Sequence, residues 1–289
     1  MDSIIIIDTT WKINLSDLEH IETITKRNNV TLYKSLWRKY QTVCVKCIKV
    51  TPKNHKYVQR EFDIVKICAH PCVYQFYGAC VDTEQPDEYV YFVFEYMDNG
   101  NLLEYIRNHE LSRNQKRDII RDIAIGMHYL CSRKPVSIIH RDFKPENILV
   151  NKHGNVKIAD FGISKQMLNE SEYTHSLTAD PMTYSSIGTL RWTAPEILCE
   201  SVGYTHMCDI YSLGLLIYFV LTEELPYADL FNHGAKIAYA KKENSRSFLE
   251  ALRSDSVMYQ LVRSCTEKDP ALRPQSPEDI IDIITTWNC

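Results

Sequence analysis

The spacing of apolar residues changes character at Asn99-Gly100, and that change constrains what this chain can fold into more than any single motif. From Ile13 to about Met97, short runs rich in Val, Ile, Tyr and Cys alternate with polar residues, as half-buried strands do. One helical stretch, Lys56 to Ala69, interrupts them. Beyond the Asn-Gly turn signal the apolar positions recur at helical spacing. They do so over Leu102 to Asn108, Arg113 to Arg133, Ala194 to Cys199, Tyr211 to Thr222, Ser247 to Cys265 and Glu278 to Thr286. The pattern predicts an α+β chain with a small strand-rich lobe and a larger, mainly helical one. A length of 289 residues, 45% of them hydrophobic, is enough for a sizeable core.

Amid these helical patterns, a single stretch reads as a hairpin: NILVNKHGNVKIADFG, two short apolar strands flanking His153-Gly154. It overlaps HRDFKPEN at His140 to Asn147 and ends in DFG at Asp160 to Gly162, so Asp142, Lys144, Asn147 and Asp160 stand at short fixed offsets. Moving a phosphoryl group needs such a set. A carboxylate must orient the attacking hydroxyl, hard oxygen ligands must hold magnesium against the phosphates, and cations must fix the nucleotide. Singly, these residue types are more often surface charges or helix caps. Their joint order is what points to chemistry.

Other classes find little support. With 33 basic and 37 acidic residues the net charge is -4, which gives no bulk reason to bind nucleic acid or an anionic membrane. Ile4 to Ile7 is too short for a spanning segment and lacks a basic leader, so a cytoplasmic protein without a membrane span is expected. The ten cysteines are irregularly spaced and read as small buried hydrophobes of a reducing compartment. Cys44 and Cys47, three apart on a predicted strand, point to opposite faces, which argues against a shared zinc ion.

HRDFKPEN, DFG and APE at Ala194 to Glu196 occur in an order and at spacings that resemble a eukaryotic protein kinase domain. The resemblance runs from TWKINLSDLE near Trp11 to RPQSPEDIIDII, and is taken to span residues 1–289. It implies a bilobal fold: a small, mainly antiparallel β lobe with one key helix and the hinge (1–97), then a mainly helical lobe (98–289) containing an activation segment (160–196). It implies ATP and Mg2+ as cofactors. Asp142 is then the catalytic base, Lys144 and Lys46 serve the phosphates, and Asn147 and Asp160 hold the metal. Glu61 pairs with Lys46, Glu95 and Met97 present hinge backbone to the adenine edge, and Leu149 forms its floor. Phe94 matches the gatekeeper, Cys44 the adenine roof, and Val65, Phe76, His140 and Phe161 an apolar stack. Asp209 braces the catalytic loop, and Glu196 pairs with Arg273.

Lys144 and Thr189 favour Ser/Thr acceptors in protein substrates, and the context of Trp192 is similar to the tyrosine-kinase-like group of Ser/Thr kinases. Arg141 implies phosphorylation of the activation segment, with an upstream kinase as a candidate partner; Ser185 is the first candidate site, and Thr183, Tyr184 and Ser186 come next. Tyrosines in that segment leave dual specificity open. One departure qualifies the resemblance. The three positions of the glycine-rich loop fall on Thr25, Arg27 and Val30, and no glycine precedes Gly78. β-Branched residues resist the close backbone approach that glycine allows, whereas Asn28 and Asn29 can form a turn and Lys26 and Arg27 carry charge. An active kinase and a pseudokinase acting as a binding scaffold are both consistent with the sequence.

Overall fold

The computed structural model describes residues 5–82, 87–167, 187–198, 205–230 and 234–287, and it divides into two units, Met1–Asp98 and Asn99–Cys289. The phosphosite candidates Thr183, Tyr184, Ser185 and Ser186 lie outside the described residues.

The first unit is an antiparallel sheet of β1 (Leu18–Arg27), β2 (Val30–Trp37), β3 (Gln41–Lys49), β4 (Phe76–Asp82) and β5 (Tyr89–Glu95), in the order β1-β2-β3-β5-β4. Alternation along β3 decides its two faces: Val43, Val45 and Cys47 are buried on one, where Val43 and Val45 pack with Ile13 and Val93. Cys44 and Lys46 lie on the other face, as the spacing of Cys44 and Cys47 predicts. An aromatic cluster of Phe62, Phe76 and Phe92 fills the space beneath helix α1 (His55–Val65), with ring centroids 5.9 to 6.2 Å apart. The helix ends four residues earlier than Ala69. Ile67 and Cys68 donate instead to Ile64 and Val65, at 3.2 Å each, in a tighter three-residue turn.

The second unit holds α2 (Leu102–Asn108), α3 (Arg113–Ser132), the short strands β6 (Ser137–Ile139), β7 (Ile148–Val150), β8 (Val156–Ile158) and β9 (Lys165–Met167), then α4 (Ile187–Trp192), α5 (Pro195–Leu198), α6 (Met207–Thr222), α7 (Gly234–Lys242), α8 (Ser256–Cys265) and α9 (Pro277–Thr286). β7 pairs with β8, and β6 with β9. Ser112 and Gln115 form a reciprocal capping box at the start of α3. α6 is buried on every side from Met207 to Val220, which makes it the core around which α3 and α8 pack. The single helix expected over Ser247 to Cys265 is two elements, a 3-10 stretch Ser247–Leu252 and then α8. Asp255 divides them because its carboxylate caps the new helix, accepting from the Met258 amide at 3.1 Å.

Candidate active site

In the first unit, β3 and α1 bring Lys46 and Glu61 together, with Nζ 2.6 Å from Oε1 and both side chains largely buried. Lys46 pairs in register with Leu32 on one side and Phe92 on the other, so the lysine stem lies over an apolar sheet face. Glu95, at the end of β5, is fixed three ways. Its carbonyl accepts from Tyr74 Oη at 2.8 Å, its carboxylate accepts from the Gln75 amide at 2.8 Å, and its own amide donates to Gln75 O at 3.0 Å. Tyr74 also stacks on Phe94, with centroids 4.7 Å apart and planes 6° from parallel. Sequence reasoning missed Tyr74, since its bond to Glu95 spans 21 residues and follows no local pattern.

β1 and β2 stay paired up to Arg27 and Val30, and Thr25 pairs with Leu32. The turn is therefore Asn28-Asn29. Asn28 takes φ +47°, a left-handed conformation that asparagine adopts more readily than β-branched residues.

In the second unit a cluster of polar side chains forms on the segment between β6 and β7. Lys144 Nζ donates to Asp142 Oδ2 at 2.7 Å and to Thr189 Oγ1 at 3.1 Å, bridging the loop to α4. Asn147 Nδ2 donates to Asp142 O at 2.9 Å and Asp142 Oδ2 at 2.7 Å. With its NH2 so used, Asn147 has only Oδ1 left to offer a cation. The Ala159 amide donates to Asn147 O at 2.8 Å, which ties the residue before Asp160 to the same loop. Asp160 itself is exposed, at φ +63°, and Arg141 has φ +68°. Such backbone conformations in non-glycine residues cost free energy and concentrate at functional sites. Arg141 donates through Nη2 to the Ile163 carbonyl.

Buried groups hold the loop from beneath. Asp209 accepts the His140 and Arg141 amides at 2.7 and 2.8 Å. Burial pushes its carboxyl up to about 7, although both amides oppose the shift. His140 is fully buried, and burial lowers its pKa, leaving a neutral ring. Nε2–H then donates to Ala159 O at 3.0 Å while Nδ1 accepts the Asp142 amide at 3.3 Å. Phe161 packs edge-on to His140 at 5.1 Å. Ser164, which no sequence motif marks, donates to His140 O at 3.1 Å. Arg273 forks onto both Glu196 oxygens at 2.6 and 2.8 Å. Leu149 sits half-buried in β7, and Met97 is buried in the first unit.

Residues 28–282 match the family model of the protein kinase domain, and the chain belongs to that family. Its relatives include the serine/threonine-protein kinase STY17 of Arabidopsis thaliana, 29% identical over 93% of this chain and 45% of that protein. The serine/threonine-protein kinase TNNI3K of Mus musculus is 34% identical over 76% of this chain and 26% of its own length. The human tyrosine-protein kinase FRK is 28% identical over 91% of the chain and 50% of its length. The chain thus spans half or less of each of these relatives.

Proposed function

We propose that this chain is a kinase domain over residues 1–289 that transfers the γ-phosphoryl group of ATP to Ser and Thr hydroxyls of protein substrates, in the cytoplasm, without nucleic acid or membrane insertion. The observation that carries this reading is Lys144 reaching both Asp142 and Thr189. Asp142 orients the acceptor hydroxyl and receives its proton as the oxygen–phosphorus bond forms and the bond to ADP breaks. Lys144, beside it, meets the negative charge on the transferring group. Lys46, steadied by Glu61, binds the nucleotide phosphates. Glu95 and Met97 offer main-chain groups to the adenine edge, and the Tyr74 bond to Glu95 O holds that strand end in place. Leu149 supplies an apolar surface for the base.

Asn147 Oδ1 and the Asp160 carboxylate are the hard oxygen donors that Mg2+ prefers. When bound there, the ion neutralises charge on the phosphates. Arg141 is the receptor for a phosphate in the activation segment, 160–196, added by an upstream kinase. Incubation with labelled ATP and a degenerate Ser/Thr/Tyr peptide library, followed by phosphoamino-acid analysis, tests the specificity. Phosphoserine and phosphothreonine are expected; phosphotyrosine alone contradicts it.

A second reading is a pseudokinase scaffold with weak or no turnover. The hairpin favours it, because β1 and β2 stay paired to Arg27 and Val30, with side chains where glycines would bring the backbone close to phosphate. Tight ATP binding in a thermal-shift titration, together with turnover, excludes it.

A further inference from the structure

Lys241, on α7, is 2% exposed. A buried ammonium is costly unless its donors are met, and here all three are. Nζ donates to Leu190 O at 3.1 Å, Arg191 O at 2.8 Å and the Thr193 carbonyl. It also lies 5.1 Å from the Tyr211 ring centroid and 5.6 Å from that of Tyr227, two faces suited to a cation. The two tyrosines are themselves joined, hydroxyl to hydroxyl, at 3.0 Å. Among the described residues Lys241 makes no ion pair, and the nearby Glu196 is already forked by Arg273.

The carbonyls that it holds have a common origin. Leu190 and Arg191 belong to the last turn of α4, and Thr193 lies just past it, so intrahelical donors for these oxygens have run out. A cation at that end also suits the helix dipole. α4 carries Thr189, the partner of Lys144, so the ammonium sits at the far end of a chain of contacts that reaches Asp142.

We propose that Lys241 is a positioning residue for the acceptor side of the site. By holding the Leu190, Arg191 and Thr193 carbonyls, its ammonium fixes α4 so that Thr189 stays on Lys144 and a substrate hydroxyl meets Asp142. The role rests on the kinase reading, but the anchoring itself does not. Burial lowers the pKa of Lys241 well below that of an exposed lysine. Loss of the proton would remove one of its three donors, while Arg191, Arg273, Glu196, Tyr211 and Tyr227 surround it.

The test compares the whole chain with Lys241→Met, near in shape but without donors, and Lys241→Gln, which keeps two. Hydrogen exchange of residues 187–198 reads the anchor without turnover. Faster exchange confined to that segment, larger for Met than for Gln, is expected. Uniform acceleration across the second unit, or none, overturns the proposal. In steady-state kinetics with the best peptide from the degenerate library, loss of a charge-assisted hydrogen bond predicts an acceptor KM raised about tenfold or more in Lys241→Met. Lys241→Gln should lie between, with ATP KM unchanged in both. ATP and acceptor KM rising together, as in general loss of structure, contradicts it. Faster exchange confined to residues 187–198 in the variants, together with a wild type that transfers no phosphoryl group, would refute the kinase reading while leaving the anchor intact.

Discussion

Asn147 donates twice to Asp142, to its main-chain oxygen at 2.9 Å and to Oδ2 at 2.7 Å. One amide thereby fixes the rotamer of the proposed base and leaves its own Oδ1 for a cation. Asn147→Ala removes both effects and is predicted to lower kcat by about 100-fold or more, on the scale of a lost preorganised polar group. Nucleotide affinity in the absence of Mg2+ should be nearly unchanged. Single-turnover kinetics with and without excess Mg2+ check this.

Asp209 gives a pH prediction. Burial raises its folded pKa to about 7 from an ordinary 3.8, so between those values the folded protein keeps a proton that the unfolded chain has released. Its contribution to stability is full below 3.8 and is lost as pH rises through 7. Relative to Asp209→Asn, the wild type should lose up to about 1.4 kcal/mol per pH unit between pH 4 and 7, and nothing more above it. Urea midpoints of both proteins at several pH values measure the difference.

Glu61 holds Lys46 at 2.6 Å. Glu61→Gln keeps shape and one hydrogen bond but removes the charge that pins the ammonium, so ATP KM is predicted to rise about tenfold. Acceptor KM should move little. Initial rates over a grid of ATP and peptide concentrations separate the two.

Arg273 is fully buried and forks onto Glu196. Glu196→Ala strands a buried guanidinium, which among the described residues keeps the carbonyls of Met207, Glu267 and Lys268 and the Tyr211 ring but no counter-charge. A loss of about 3–5 kcal/mol in unfolding free energy is expected. Equilibrium denaturation measures it.

Much of this architecture is legible because its signals are local. Asn101 and Ser112 cap α2 and α3 where the helical spacing begins, and β3 alternates visibly through Val43, Val45 and Cys47. The contacts of Lys46 with Glu61 and of Glu196 with Arg273 follow from the resemblance to protein kinases, not from periodicity. α7 is not legible: it opens on Gly234, and its lysines hide any apolar stripe. Lys241 reads as a surface charge until the last turn of α4 is seen beneath it. Tyr74 and Ser164 are likewise placed by tertiary contacts. One helix over Ser247 to Cys265 is one element too few, because Asp255 looks like any helix-tolerated carboxylate.

Asp142, within its set of Lys144, Asn147 and Thr189, is proposed to support phosphoryl transfer although no glycine lies in the β1–β2 turn. The most direct measurement is transfer of label from ATP, with Mg2+, to a Ser/Thr peptide library by the wild type and by Asp142→Asn, both shown to be folded. Incorporation by the wild type and a loss of at least about 100-fold in the variant are predicted. Equal incorporation by the two proteins, or none by either, would contradict it.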